Sequence, residues 1–147
     1  MSAAALNVKD LSLDITEEIH VRASPAATFG ALLEELGPSK LGHNGTPLPM
    51  VLEPWPGGRW FRDLGGGSGH LWGHVQAIRP PTLLEITGPL MMSFAAVSNV
   101  QYRLEESDGG TVITLHHTAL GLFPEGYREA MSEGSQALFD RIRGRVE

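Results

Sequence analysis

The hydrophobic pattern of this chain changes its period once, close to the C-terminal end. Between Met50 and Thr118, apolar residues mostly alternate with polar ones in short segments separated by turns, which is typical of β-strands. Glu125–Val146 instead carries apolar residues at helical spacing and predicts one long amphipathic helix. An antiparallel sheet with one apolar face must bury that face, and this helix is long enough to cover it. The pattern therefore predicts an α+β fold in which a curved antiparallel sheet of about six or seven strands wraps around the C-terminal helix.

Local signals predict the remaining elements. Leu13–Arg22 alternates strictly and predicts the first strand, although Glu17 interrupts its apolar face. Ser24-Pro25 suits a helix N-cap and first position, and Gly37-Pro38 suits a stop, so Ala26–Leu36 is predicted as a short helix. The further strands are predicted at Met50–Glu53, Arg59–Leu64, His70–Arg79, Thr82–Thr87, Val97–Glu105 and Thr111–Thr118.

The length and composition suit one domain and exclude several classes of function. Of the 147 residues, 1–11 are predicted as a flexible tail and 12–147 as a single domain. The chain has no Cys, which excludes disulfides, thiolate-bound metals and thiol nucleophiles. A net charge of −6, from 17 acidic and 11 basic residues, argues against a nucleic-acid partner. No signal peptide or membrane-spanning stretch is recognised, so we predict a cytoplasmic protein without membrane insertion.

A series of short motifs lies in the predicted order of elements. They are Ser24-Pro25 with Phe29, Ala31 and Leu32; Gly57-Gly58-Arg59-Trp60; Gly73-His74-Val75 with Pro80-Pro81 and Leu84; Val100–Leu104; Gly110-Thr111 with Ile113–Leu115 and His117; and Glu133-Gly134. Over residues 13–146 the chain thereby resembles the SRPBCC (START-like) superfamily, and within it the branch named for the activator of the heat-shock protein 90 ATPase. The resemblance implies the helix-grip fold. It leaves the function open, because the superfamily includes lipid carriers, hormone receptors, polyketide cyclases and many bacterial proteins without an assigned role.

Ser135 departs from the pattern of that family. The residue after the Gly of the last helix is usually Trp there, and a Trp side chain buries about 200 Å². Ser135 leaves volume between the helix and the sheet, so either a neighbouring side chain fills that volume or the pocket is larger.

A pocket is expected between the sheet and the C-terminal helix, because one helix rarely fills a curved sheet. The residues predicted to line it are Trp60, Arg62, Leu84, Ile86, Met91, Phe94, Val100, Tyr102, Ile113, Leu115, His117, Tyr127, Met131, Ser135 and Leu138. Arg62 either grips a ligand carboxylate or phosphate, or faces outward and pairs with a neighbouring acidic residue. Met91 and Phe94, with Met92, form either an adaptable gate over the pocket, ordinary core or a dimer contact.

The candidate chemistry of the pocket centres on His117. This residue shares the predicted inward face of its strand with Ile113 and Leu115. In the helix-grip fold that the resemblance implies, the first and last strands are neighbours, so Glu17 and His117 are expected to meet. They form either an acid–base couple or a structural polar pair. In an enzyme, His117 would be the general acid or base, Glu17 its orienting partner and Tyr102 a donor to an oxyanion.

No metal and no cofactor are predicted. His70 and His74 lie about 13 Å apart along one strand, too far to share an ion. His116 and His117 point to opposite faces of their strand.

Three functions remain open. The leading hypothesis is the binding of a small hydrophobic or amphipathic molecule. The alternatives are an enzyme of the polyketide cyclase, dehydratase or lyase type, and a co-chaperone-like module that binds another protein. A cavity of about 300 Å³ or more favours the first two, whereas a filled interior with an exposed apolar patch favours the third. The aromatic and Met content also allows a homodimer.

Overall fold

The computed structural model describes residues 7–42 and 44–147. A 3-10 helix at Val8–Leu11 precedes the first strand, and residues 1–6 of the expected tail lie outside the described residues. The helices are α1 (Pro25–Leu36) and α2 (Tyr127–Val146). The strands are β1 (Ser12–Val21), β2 (Val51–Leu52), β3 (Arg59–Gly65), β4 (Ser68–Arg79), β5 (Leu83–Gly88), β6 (Ala96–Ser107) and β7 (Gly110–Gly121).

The strands form one seven-stranded sheet in the order β1-β7-β6-β5-β4-β3-β2, and all neighbouring pairs are antiparallel. The sheet is curved, with α2 against its inner face, and this confirms the predicted α+β helix-grip architecture. On the inner face, Val21, Leu84, Leu104 and Ile113 are almost completely buried. This follows from the two-residue alternation of the strands, which places their apolar side chains on one side of the sheet.

The short helix α1 begins and ends at the residues that the sequence marks. The Ser24 hydroxyl accepts a hydrogen bond from the Ala27 amide at 3.2 Å, and Pro25 occupies the first helical position. At the other end, the Trp60 indole N–H donates to the Leu36 carbonyl at 2.8 Å. Because the last carbonyls of a helix lack partners within it, this contact both stabilises the helix end and orients the Trp60 ring.

Polar side chains of α2 cover the outer edge of β1. An Arg128 Nη donates to the Asp14 carbonyl at 2.9 Å, and an Arg143 Nη donates to the His20 carbonyl at 3.0 Å. An edge strand otherwise presents unpaired backbone groups, so these arginines satisfy part of the open edge. They also hold α2 across the sheet.

A buried ion-pair cluster joins the two helices. The Glu35 side chain on α1 is 5% exposed. It accepts from Arg141 Nε at 2.8 Å and from an Arg145 Nη at 2.7 Å. The amphipathic pattern of α2 alone does not indicate this pairing. The pairing was missed because it depends on how two elements distant in sequence pack together.

A β-bulge in β4 changes the direction of Trp72. Trp60 pairs with Gly73 and Phe61 pairs with Leu71, so Trp72 is the extra residue between them. Strict alternation from the buried Val75 would place Trp72 on the outer face with His74. The bulge turns it inward, where it is 4% exposed.

Two glycines allow the strands to approach closely beside this bulge. A Cβ on Gly73 would lie 2.8 Å from the carbonyl oxygen of Thr87. A Cβ on Gly88 would lie 2.5 Å from the Cα of Gly73. Larger residues would push β4 and β5 apart, so both glycines are required by the packing of the backbone.

The helix α2 packs through a wider face than its sequence stripe indicates. Leu138 and Ile142, which are spaced one helical turn apart, are buried, and the adjacent Phe139 is completely buried as well. Neither helix in the described part of the chain has the length and apolar character needed to cross a membrane.

Candidate functional site

A cavity of about 100 Å³ lies between the inner face of the sheet and α2. Its lining is mostly apolar and comes from both helices, from β3 to β7 and from the segment between β5 and β6. The lining residues predicted from the sequence are Trp60, Ile86, Met91, Val100, Tyr102, Leu115, His117, Met131, Ser135 and Leu138. Those not predicted are Leu36, Lys40, Trp72, Leu90 and Gly134.

The other predicted lining residues lie elsewhere. Leu84 and Ile113 point inward but are completely buried in the core. Phe94 and Tyr127 pack with Phe123 in an aromatic cluster at the start of α2, with the Phe123 and Tyr127 rings stacked at 5.1 Å. Arg62 is partly exposed and does not line the cavity; it pairs with His70, nearer to the turn that joins β3 and β4. These are corrections to the sequence-based assignment.

Two indole rings form one wall of the cavity. The Trp60 and Trp72 rings meet edge to face with centroids 5.0 Å apart. Both indole N–H groups have protein acceptors, because Trp60 donates to the Leu36 carbonyl and Trp72 donates to His70 Nδ1 at 3.0 Å. The rings therefore present an apolar surface to an occupant of the cavity.

The segment after β5 closes the cavity on the side of Trp72. Leu90 adopts a left-handed backbone conformation (φ 59°) and its amide donates to the Trp72 carbonyl at 2.7 Å. Leu90 and Met92 are buried, whereas Met91 lines the cavity and is 42% exposed. A non-glycine residue at positive φ is strained unless its surroundings hold it, and here burial and a hydrogen bond do so. The segment therefore covers the cavity and leaves Met91 at its rim.

His117 is a buried, neutral imidazole on the cavity wall. Its Nε2 and the Ser98 hydroxyl share a hydrogen bond at 3.1 Å. Burial, with a smaller effect of His116, lowers the pKa of His117 to about 4. At neutral pH it therefore offers a hydrogen bond and no charge.

Tyr102 is the second polar group of the sheet that faces the cavity. It is 6% exposed, and burial raises the pKa of its phenol well above the ordinary value of 10.0. The hydroxyl therefore stays protonated and is available as a hydrogen-bond donor.

The expected meeting of Glu17 and His117 is not seen in the described residues. The Glu17 carboxylate accepts from the Ser132 hydroxyl at 2.6 Å and from the Gln136 amide at 2.7 Å, both on α2. Although β1 and β7 are neighbours as expected, Glu17 faces Leu115 and His117 faces Ile15 across the pair. Glu17 thus ties β1 to the helix, and His117 pairs with Ser98 instead.

Ser135 lines the cavity. Its hydroxyl donates to the Met131 carbonyl one turn earlier at 2.9 Å. A Cβ on the adjacent Gly134 would have no heavy atom within 4 Å. Gly134 is exposed, so the space at its Cβ position is open to solvent, and it is the small Ser135 side chain that fills less of the cavity than a larger one would.

The comparisons with known proteins agree with the fold. The chain is similar to the di-domain ARO/CYC protein StfQ from the steffimycin biosynthetic pathway (15% identity, TM-score 0.69), covering 95% of this chain and 52% of StfQ, about half its length. It is similar to protein CV1439 from Chromobacterium violaceum (15% identity, TM-score 0.69, 91% and 96% of the two chains). It is also similar to protein BH1534 from Bacillus halodurans (20% identity, TM-score 0.67, 93% and 99%). At these identities the likeness shows the fold alone.

Sequence comparison gives the family directly. No protein with a curated function matches the chain. The sequence pattern of one protein family, however, matches residues 22–147, which is most of the chain. That match covers α1, six strands of the sheet and α2, and thus every element that lines the cavity. The chain belongs to the family described as Activator of Hsp90 ATPase homolog 1-like protein.

Proposed function

We propose that this protein binds a small hydrophobic or amphipathic molecule in the cavity between the sheet and α2. The observation that carries the proposal is the cavity itself, which is lined by Trp60 and Trp72 and by aliphatic side chains of the sheet and α2. Pockets that bind small molecules combine such apolar walls with a few convergent polar groups. Tyr102 and His117 supply such groups on one wall, and both are uncharged at neutral pH.

The volume of the cavity limits the size of the molecule that it can bind. About 100 Å³ is less than the roughly 300 Å³ at the lower end of ordinary ligand pockets. An engineered apolar cavity of about 150 Å³ binds benzene, so a single ring is the upper limit for an occupant of this smaller cavity. A larger ligand requires displacement of the segment that carries Leu90 and Met91.

Binding of fluorobenzene, followed by ¹⁹F NMR, tests the proposal. The wild-type protein is expected to bind this single-ring probe. Ser135→Leu extends a side chain into the cavity and should weaken binding by about tenfold or more, about 1.4 kcal/mol. Ala137→Leu is the matched control, because residue 137 is exposed on the same helix. Absence of binding to the wild type, or equal binding to wild type and Ser135→Leu, would contradict the proposal.

A second candidate function is that of an interaction module, which the small cavity favours. Val97, Leu120 and Leu122 are each more than half exposed, at 51%, 54% and 63%. Val97 and Leu120 are paired across β6 and β7, so they form one outer apolar patch at the end of the sheet. The family description names an activator of Hsp90 ATPase. This candidate function predicts that the chain stimulates the ATPase of Hsp90. The double variant with Val97→Ser and Leu120→Ser should remove the stimulation. Absence of stimulation by the wild-type protein would eliminate this candidate function.

The cytoplasmic location and the homodimer remain predictions from the sequence. For the dimer, sedimentation of the wild type and of the same double variant is the direct measurement, because the outer apolar patch is an exposed apolar surface of the kind that a dimer buries.

A further inference from the structure

Lys40 is the one charged side chain among the described residues that line the cavity. It follows α1 in the chain, and its Nζ lies 5.9 Å from the centroid of the Trp72 ring. The ammonium donates one hydrogen bond within the described residues, to the Leu41 carbonyl at 3.2 Å. An ammonium has three donors, so this geometry leaves capacity for an acceptor inside the cavity.

The surroundings of Lys40 carry an excess of positive charge. Glu35 is the carboxylate close enough to raise the pKa of Lys40. However, both carboxylate oxygens of Glu35 already accept from Arg141 and Arg145, and no ion pair joins Glu35 to Lys40 in the described part of the chain. Burial and the like charge of Arg141 lower the pKa of Lys40. A cation in this position is stabilised by a nearby anion.

The other polar groups of the cavity do not supply that anion. Tyr102 remains a neutral phenol because burial raises its pKa. His117 remains neutral because burial lowers its pKa to about 4. The Ser135 hydroxyl donates to its own helix. Among the described residues that line it, the cavity thus combines an apolar wall with a single cation and no negative side chain.

We propose that the molecule bound in this cavity is a small organic acid, with its ring or short chain against Trp60 and Trp72 and its carboxylate on the Lys40 ammonium. This inference rests on the proposed function and specifies its ligand class. The volume of about 100 Å³ restricts the apolar part to one ring or a chain of similar size. The aromatic rings contact the apolar part, while the charged group lies at the side of the cavity where α1 ends.

A pair of probes that differ in charge and hardly in shape tests the proposal. Binding of 4-fluorobenzoate and 4-fluorobenzamide is measured by ¹⁹F NMR titration near neutral pH. The acid is expected to bind about tenfold more tightly than the amide, about 1.4 kcal/mol. Lys40→Met keeps much of the side-chain stem and removes the charge, so it should abolish the preference by weakening the binding of the acid far more than that of the amide.

Two control variants isolate the charge of Lys40. Lys40→Arg keeps a cation and should retain most of the preference for the acid. Lys9→Met removes the other lysine of the chain, which is exposed in the N-terminal 3-10 helix, and should change nothing. Equal affinities of acid and amide for the wild type, or a preference that survives in Lys40→Met, would overturn the inference. If the inference is overturned but fluorobenzene still binds, the proposed function stands. If fluorobenzene, the acid and the amide all fail to bind, the proposed function and this inference are both contradicted.

Discussion

At the scale of the residue, His117 shows how burial determines charge. The imidazole is 5% exposed, and its pKa is lowered from 6.5 to about 4, first by burial and then by His116. Between these two pH values the unfolded chain binds a proton at this position and the folded chain does not. The free energy of unfolding therefore falls as the pH decreases through this window.

Replacing His117 by Gln should flatten this part of the pH profile. Between pH 6.5 and 4.5 the wild type is expected to lose about 2 kcal/mol through this group, since one pKa unit corresponds to about 1.4 kcal/mol and the unfolded imidazole is only half protonated at pH 6.5. Over the same pH interval, the free energy of unfolding of His117→Gln should fall less than that of the wild type by this amount, as measured by denaturant unfolding at both pH values. His116→Gln is the matched control on the outer face of the same strand, where the imidazole contacts Asp14 at 3.0 Å. An equal fall in the free energy of unfolding of His117→Gln and of the wild type would contradict the assignment of this pH dependence to His117.

Residue positions were predictable from the sequence where alternation alone decides them. Val100, Leu115 and His117 face inward because their strands are regular. Trp72 was not predictable, since a bulge reverses its side. Lys40 was not predictable either, because it lies in a loop and reaches the cavity only through the position of α1. Hydrogen-bond partners were the least predictable, as Glu17 shows, because they depend on the packing of α2 across β1.

At the scale of the element, the contact of α1 with α2 depends on one buried carboxylate. Glu35 is bound by Arg141 and Arg145, whose side chains are 23% and 42% exposed. Removing one partner of a buried ion pair leaves the other charges without compensation. The partial exposure of the arginines reduces this cost, because water then solvates them.

Glu35→Gln should therefore destabilise the protein by about 1–2 kcal/mol, below the usual cost for a fully buried pair. Glu133→Gln, an exposed glutamate on α2, serves as the control and should change the free energy of unfolding by less than about 0.5 kcal/mol. Both are measured by urea unfolding at neutral pH. Equal stabilities of the two variants would show that the ion-pair cluster contributes little to the packing of the helices.

The boundaries of the helices were predictable where residues close in sequence determine them, and not where the backbone conformation decides. The caps of α1 were predictable because Ser24, Pro25 and Gly37 act within a few residues of their own position. The start of α2 at Tyr127 differs from the predicted Glu125 because Gly126 takes a left-handed conformation (φ 82°) and ends the preceding turn. The glycine could be read in the sequence, but its backbone conformation could not.

At the scale of the whole molecule, the cavity exists because one long helix, α2, covers the inner face of a curved sheet of seven strands. The strand pattern and the helical stripe were sufficient to predict this architecture, and with it a space between the two layers. Its volume of about 100 Å³ was not predictable, because Trp72, Leu36 and Leu90 fill part of it and the pattern did not place these three residues on the cavity wall. Ser135 increases the space and these three residues reduce it.

Ser135→Leu should raise the thermal stability of the whole molecule. The longer side chain enters the cavity of about 100 Å³ and gains apolar burial, and it removes a hydroxyl that donates to its own helix at Met131. Filling a cavity commonly adds about 1 kcal/mol, or about 2–4 °C in a domain of this size. Ala137→Leu places the same side chain on the exposed face of α2 and should leave the melting temperature nearly unchanged. A Ser135→Leu melting temperature at or below that of Ala137→Leu would mean that the cavity cannot accept a leucine, and that its walls are already closely packed around the space they enclose.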